Sequence, residues 1–190
     1  PENSRESTAW GESRGRIHDL ASRIGQICEV LLAYSRSAAL DPSRLKPVDL
    51  EPIVAAAIDR VESRAKERGL TIESPPGGAV VKGDADLLEE VFVNLLVNAV
   101  EHGPEGSSVT IVPSIGPSGC RIAIVDRGPG VADVDLPKLF ERFHSGKPSG
   151  GNGVGLALSR LIMRSHGGDI EYAPTPGGGA TFTLRFPPVS

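Results

Sequence analysis

The chain has 190 residues, of which 39% are hydrophobic and 23% charged, so we expect one packed globular domain with an appendage and exclude a largely disordered protein. The formal charge of −4 and the lack of a sustained basic run argue against nucleic acid as a partner. No stretch approaches the roughly 20 apolar residues of a membrane span, and no signal peptide is recognisable. Cys28 and Cys120 lack metal-ligand spacing, which favours reduced thiols in a cytoplasmic protein.

The first part of the chain is predicted to be a helical appendage. Residues 1–12 are polar, and we expect them to be disordered. Residues 13–40 carry apolar residues at three- and four-residue steps, which predicts one long amphipathic helix. A single apolar stripe needs a partner, so this helix should pack against another helix or form a homodimer with a second copy. Asp41 and Pro42 end it, and residues 41–48 are predicted to be a linker or short strand.

Residues 49–190 are predicted to form one compact domain. Helical patterns cover about 49–68, 84–101 and 154–165, and Asp49 and Asp84 are candidate N-caps of the first two. Extended patterns cover about 70–73, 79–82, 109–115, 121–125, 169–173 and 180–186, and a short helix is expected near 137–143. Helices and largely antiparallel strands mixed in this way predict an α+β, two-layer sandwich. Its three helices would lie on one face of a mixed, mainly antiparallel sheet.

The second predicted helix carries two amides in an apolar run. Asn94 and Asn98 are four residues apart and therefore project from one face, and Glu90 and His102 extend the same polar stripe. Burying an amide without a partner costs on the order of 1–3 kcal/mol, so the pair requires a polar ligand, a metal ion or a hydrogen-bond network. A pair of core amides satisfied by the protein itself remains an alternative.

A second polar element follows an apolar strand. The strand ends in Asp126, and Gly128 and Gly130 follow at alternate positions. A carboxylate there can accept a hydrogen bond from an exocyclic amino group, while glycines allow a flat base to approach the backbone. A strand that simply ends in a tight turn explains this segment equally well.

A glycine-rich segment runs directly into the third predicted helix. Amides at such a helix N-terminus suit phosphate, although a flexible connector is the alternative. The spacing fits neither a dinucleotide-binding fingerprint nor a Walker loop. Phe140 and Phe143 precede the segment and could anchor a mobile lid. Before the last strand, Thr181 or the preceding glycines could touch a ligand or simply form a hairpin.

Taken in this order, the elements resemble those of the GHKL superfamily of gyrase, chaperone, histidine-kinase and mismatch-repair ATPases. The resemblance is strongest to the catalytic and ATP-binding domain of bacterial sensor histidine kinases, over about residues 45–187. Residues 84–99 resemble the N box, 126–130 the first glycine box, 140–143 the F box, and 151–155 and 179–182 the later glycine boxes. The resemblance implies a Bergerat-type fold that binds ATP and Mg²⁺.

The resemblance also implies roles for individual residues. Asn98 would ligate Mg²⁺, Asn94 would orient phosphate or water, and Asp126 would bind the adenine amino group. The remaining implied nucleotide-binding residues are His102, Gly128, Gly130, Gly151, Gly153, Val154, Gly155, Leu156 and Thr181. A lid would span about residues 144–152. GHKL hydrolases normally carry a glutamate base where Asn94 stands, and an amide cannot take a proton, so phosphoryl transfer is favoured over hydrolysis.

The sequence departs from the kinase pattern at three places. Glu101 stands where a basic residue is usual, which predicts weakened affinity or an outward-pointing side chain. His144-Ser145-Gly146 replaces an arginine that often follows the F box, and Lys147 could substitute for it as a mobile charge. His18 is the only superficial phosphoacceptor candidate, and an ordinary surface histidine explains it better. His166 is predicted to be a cation or cap at a helix C-terminus.

These patterns predict the catalytic part of a two-component sensor histidine kinase. It would phosphorylate a histidine outside this chain, on a dimerisation domain, for relay to a response regulator. Residues 13–40 would then be the second helix of a truncated dimerisation hairpin, and the parent protein could carry a membrane anchor. The alternative is a nucleotide-binding regulatory GHKL module, anti-sigma-type or degenerate, without histidine phosphotransfer.

Overall fold

The computed structural model describes residues 45–75, 77–142 and 153–189, together with residues 32, 34–37, 40, 41 and 144. Positions 32 and 34–37 are helical, and the remainder of the predicted long helix and the predicted disordered residues 1–12 lie outside the described residues. Arg36 pairs with Asp86 at 3.1 Å, and Ser37 Oγ lies 2.6 Å from Ser165 Oγ. These two contacts place the end of the first helix against the domain that follows.

The described part of the domain contains seven strands and three α-helices. The strands are β1 (Lys46–Asp49), β2 (Thr71–Glu73), β3 (Val80–Gly83), β4 (Ser108–Gly116), β5 (Gly119–Val125), β6 (Asp169–Pro174) and β7 (Ala180–Phe186). The helices are α1 (Leu50–Glu67), α2 (Ala85–His102) and α3 (Gly155–Ser165). Asp49 and Asp84 cap α1 and α2 by accepting hydrogen bonds from Glu51 N and Leu87 N, as predicted.

Five strands form the main sheet in the order β2-β4-β5-β7-β6, in which only the β2–β4 pair is parallel. A separate antiparallel ribbon joins β1 to β3. Alternate residues of β5, Cys120, Ile122 and Ile124, are buried under the helices, while Arg121, between Cys120 and Ile122, is exposed. Helix α2 lies between α1 and α3 and buries a continuous apolar stripe. The predicted α+β sandwich with its helices on a mainly antiparallel sheet is confirmed.

Two connecting segments were predicted less completely than the core. Of the linker or short strand predicted over 41–48, the strand is observed as β1, which extends to Asp49 and pairs with β3 in register Val48 to Val81. The predicted helix near 137–143 is a single 3-10 turn, Leu136–Lys138, with no buried residue. An amphipathic stripe is absent there, and three residues are too few to make an α-helical turn with its own ladder. The domain core was therefore easier to predict than its connections.

Candidate nucleotide-binding site

Asp126, the first residue after β5, is buried, with only 3% of its surface exposed. Its Oδ1 accepts hydrogen bonds from the backbone N–H groups of Gly128, at 2.8 Å, and Ala180, at 3.0 Å. These two donors fix the side chain between the turn after β5 and the start of β7. Its Oδ2 has no hydrogen-bond partner among the described residues and is not fully enclosed. One oxygen of a rigid carboxylate thus remains available to an external donor.

The glycines beside Asp126 allow three segments to meet. A Cβ atom on Gly128 would lie 2.8 Å from the carbonyl oxygen of His102, at the end of α2. A Cβ atom on Gly130, whose φ is 73°, would lie 3.0 Å from the carbonyl oxygen of Gly179. Side chains at these positions would therefore push the turn away from α2 and from the glycines before β7. Tyr172 holds the turn further along by accepting a hydrogen bond from Val131 N, at 3.1 Å.

Asn94 and Asn98 lie on α2, both half-buried. Neither side chain has a hydrogen-bond partner among the described residues. Within the described part of the chain, both amides therefore keep their full hydrogen-bonding capacity, and no core network satisfies them there.

The start of α3 lies directly against this amide pair. A Cβ atom on Gly155, the first residue of α3, would be 3.5 Å from Oδ1 of Asn94. The N-cap residue, Val154, makes no side-chain capping bond, so the first-turn N–H groups of this 11-residue helix have no side-chain acceptor at their cap. The first-turn amides, which have no capping side chain among the described residues, and the positive end of the helix dipole are thus adjacent to Asn94, an arrangement that favours an anion.

For the other predicted site residues, the structure describes the burial, a contact within the chain, or nothing. Gly151, Phe143 and nearly all of the predicted lid 144–152 lie outside the described residues. The backbone of His144 lies close to Gly153: a Cβ atom on Gly153 would be only 2.7 Å from the His144 carbonyl oxygen. Leu156 is half-buried against the core, and His102 is exposed. The Thr181 hydroxyl is 2.8 Å from that of buried Thr175, so it already has a partner within the hairpin.

The F-box aromatic Phe140 is anchored from α3. The guanidinium carbon of Arg160 lies 4.5 Å from the centre of the Phe140 ring. Arg160 also donates to Asp169 at 2.8 Å. Burial opposes ionisation of Asp169, but hydrogen bonds from Arg160, the Ile170 amide and Arg164 outweigh it and lower the pKa of Asp169 to about 2.

Two charged residues have environments that the sequence did not reveal. Glu101 forms an ion pair with Arg64 of α1, at 3.0 Å, so its side chain turns toward the neighbouring helix. His166 caps α3 but is buried: Nδ1 donates to Ile162 O at 2.8 Å and Nε2 accepts from Asp84 N at 3.0 Å. Burial lowers the pKa of His166, so its predicted role as a cation is wrong. No local motif marks Arg64 or Tyr172, since their partners are distant in sequence.

The described residues could bind a magnesium ion only if phosphate oxygens and waters supplied most of its ligands. Among the described residues, no three histidine, cysteine or acidic side chains are grouped as a protein-only metal site. Mg²⁺ usually keeps several waters and takes one or two protein oxygens together with phosphates. The unpartnered amide oxygen of Asn98 fits that chemistry. Within the part of the chain described, no helix is both long enough and apolar enough to cross a membrane.

Comparison with known proteins gives consistent results. The family described as histidine kinase-, DNA gyrase B- and HSP90-like ATPase matches residues 83–190. The sensor-like histidine kinase SenX3 of Mycobacterium tuberculosis is 34% identical over 174 residues, which cover 88% of this chain and 42% of SenX3. The chain thus spans less than half the length of this relative.

Solved structures of kinases share the fold. The mycobacterial sensor histidine kinase MprB superimposes with a TM-score of 0.65 and 28% identity, over 75% of this chain and 97% of MprB. Full-length ShkA in complex with AMPPNP gives a TM-score of 0.73 and 26% identity, over 88% of this chain and 37% of ShkA. Together with the arrangement of Asp126, the amide pair and the glycine-rich start of α3, these matches show that the chain belongs to the histidine kinase-, DNA gyrase B- and HSP90-like ATPase family.

Proposed function

We propose that this chain is the ATP-binding catalytic part of a two-component sensor histidine kinase. It would transfer the γ-phosphate of ATP to a histidine outside this chain, for relay to a response regulator. The observation that carries the proposal is Asp126, a buried carboxylate with one oxygen fixed by two backbone donors and the other without a partner. Similarity to SenX3, a sensor-like histidine kinase, supports the type of reaction.

Adenine would bind beside Asp126. The unpartnered Oδ2 can accept a hydrogen bond from the exocyclic amino group of adenine, whereas the carbonyl of guanine at that position has no proton to donate. Gly128 and Gly130 leave the turn without side chains, so a flat base can approach its backbone. The complex of ShkA with AMPPNP, an ATP analogue, supports this class of ligand.

The phosphates would lie between the amide pair and the start of α3. First-turn N–H groups around Gly155 would donate to phosphate oxygens, and Asn94, next to Gly155, would orient phosphate or water. Asn98 would supply one ligand to Mg²⁺. When bound, the ion neutralises phosphate charge. His102, Gly151, Gly153, Val154, Leu156 and Thr181 would complete the nucleotide contacts.

The chemistry of Asn94 favours transfer over hydrolysis. An amide positions a group by hydrogen bonding but cannot take a proton from water, so it cannot serve as a general base. A nucleophile must then come from elsewhere, and a histidine on a dimerisation domain supplies one with its own lone pair. His18 lies outside the described residues and is not proposed as that acceptor.

The same proposal defines the partners and the cellular location. The acceptor histidine would belong to a dimerisation domain of the parent protein or of a partner kinase, and residues 13–40 would contribute a helix to a homodimer. ATP and response regulators are cytoplasmic, so the domain would face the cytoplasm whether or not the parent protein has a membrane anchor. The alternative, a regulatory module without histidine phosphotransfer, would bind nucleotide and transfer nothing.

Asp126→Asn tests the adenine contact. The amide keeps an oxygen for the Gly128 and Ala180 donors but presents an NH₂ group toward the adenine amino group, so two donors would face each other. We expect the Kd for Mg-ATP, measured by isothermal titration calorimetry, to rise by about 30-fold or more. Asp133→Asn, an exposed carboxylate in the following loop, is the control and should leave the Kd unchanged.

Unchanged ATP affinity in the Asp126→Asn variant would contradict the adenine contact. Phosphotransfer is tested separately, by adding a histidine-containing dimerisation hairpin from a similar kinase and ATP labelled in its γ-phosphate. Label on the hairpin, lost in Asp126→Asn, supports the kinase, whereas ATP binding without label on any hairpin supports the regulatory alternative.

A further inference from the structure

An ion pair between two helices lies beside the amide pair. Arg64 of α1 places Nη2 3.0 Å from Oε1 of Glu101 on α2. The Arg64 side chain is 51% exposed and that of Glu101 is 31% exposed, so the pair is at the surface and in contact with solvent. The pair therefore adds a cation from α1 to a polar stripe that α2 otherwise forms alone.

Glu101 belongs to the same face of α2 as the amides. It follows Asn94 by seven residues and Asn98 by three, and side chains at these intervals are neighbours on a helix surface. An unpaired carboxylate there would repel the phosphates of a nucleotide bound to Asn94 and Asn98. Its pairing with Arg64 offsets that repulsion and places a guanidinium 3.0 Å from a side chain that is one turn beyond Asn98 on α2.

Arg64 keeps most of its hydrogen-bonding capacity. A guanidinium has five N–H donors, and among the described residues Glu101 is the only carboxylate that Arg64 contacts. Arg60, one turn earlier on α1, differs because its Nη1 contacts both Glu89, at 3.0 Å, and Glu90, at 2.7 Å. Hydrogen bonds to Glu90 and Glu89 outweigh burial and raise the pKa of Arg60. Two structurally similar arginines thus differ in how far their charge is neutralised.

We infer that Arg64, positioned by Glu101, is a phosphate-binding residue of the nucleotide site, contributed by α1. Arginine suits this role because its planar fork can bind a carboxylate on one edge and a phosphate oxygen on another. This inference rests on the proposed function, since it requires a nucleoside triphosphate at the amide pair. In addition to Mg²⁺, the phosphates would thus have a cation from α1, a helix that carries no nucleotide-binding motif.

The test compares ATP with adenosine in four proteins: wild type, Arg64→Gln, Arg64→Gln with Glu101→Gln, and Arg60→Gln. Kd values are measured by calorimetry, with Mg²⁺ present throughout. Adenosine reports on the base contact alone, so the ratio of the two Kd values isolates the phosphate contribution. Arg64 and Glu101 are both partly exposed, so we expect every variant to fold, and the unfolding midpoint of each variant checks this.

We expect Arg64→Gln to weaken ATP binding about tenfold and to leave adenosine binding unchanged. The double variant should also bind ATP more weakly than wild type, because neutralising Glu101 does not replace the lost donor. Arg60→Gln should stay within about twofold of wild type, since its charge is already engaged by two glutamates.

Two results would overturn the inference while leaving the proposed function intact. Wild-type ATP affinity in Arg64→Gln would show that Arg64 makes no contribution. Wild-type affinity in the double variant, with loss in the single one, would show that Arg64 only neutralises Glu101. If wild type binds ATP no more tightly than adenosine, the inference is overturned as well. If wild type binds neither ligand, the proposed function itself is overturned.

Discussion

The polar residues at the two ends of the main sheet differ in whether the protein itself satisfies their hydrogen bonds. At one end, where β5 leads into Asp126, the Asn94 and Asn98 amides and one oxygen of Asp126 have no protein partner among the described residues. At the other end, where α3 leads into β6, His166 uses both ring nitrogens and Asp169 accepts from Arg160 and the Ile170 amide.

The difference shows which polar residues stabilise the fold and which are available for binding. A buried polar group that is fully hydrogen-bonded contributes to stability, and its removal leaves other groups unsatisfied. A half-buried amide without a partner contributes little to stability and can bind an external ligand. We therefore expect the first end of the sheet to bind the ligand, whereas the polar contacts at the second end connect α2, α3 and β6.

Removing His166 should produce the largest change in stability at the second end. His166→Ala would leave the Asp84 amide without its acceptor at the junction of α2 and α3, and it would remove the ring donor to the Ile162 carbonyl, which keeps only the backbone N–H of residue 166. We expect the free energy of unfolding, measured by urea denaturation, to fall by about 2–4 kcal/mol. His102→Ala, which truncates an exposed histidine, should change it by less than about 0.5 kcal/mol. Equal losses in the two variants would remove the distinction between the two ends.

His166 should also make stability depend on pH, with a smaller effect. Burial lowers the pKa of His166 in the folded chain, so below its ordinary value of about 6.5 the unfolded chain binds the proton more readily. Stability from this residue is complete above about pH 6.5 and is lost as the pH falls, by at most about 1.4 kcal/mol per pH unit. The measurement compares urea denaturation from pH 7.5 to 5.5 in wild type and His166→Gln. Parallel pH profiles would contradict a neutral, buried His166.

Much of the fold could be predicted from periodicity and caps. The apolar stripe of α2 and its Asp84 cap, and the alternating burial of β5, follow directly from local sequence. The short ribbon of β1 with β3 was harder to predict, because its pairing depends on residues more than 30 positions apart in sequence. The 3-10 turn at Leu136–Lys138 has no buried residue, so no periodic signal defines it.

Some residues of the candidate site could likewise be predicted from the sequence, and others could not. Asn94, Asn98 and Asp126 could be selected because amides in an apolar helix and an acid at the end of a strand are unusual in sequence. Arg64 could not, since nothing on α1 distinguishes it from Arg60 until the partners of both are known. His166 was predicted to be a cation or cap at a helix C-terminus, and only the cap is observed, because its buried ring accepts from the amide of Asp84, which is 82 residues away.

Thermal unfolding of Asn98→Ala, with and without Mg-ATP, tests most directly the claim that unpartnered polar residues mark the binding end. Without ligand the variant should unfold within about 0.5 kcal/mol of wild type, because Asn98 has no hydrogen bond to lose among the described residues. At ligand concentrations of about 100 times the Kd, wild type should gain roughly 2.7 kcal/mol, and the variant should lose most of that gain. An Asn98→Ala variant that is strongly destabilised, yet retains the full stabilisation by Mg-ATP, would contradict the account.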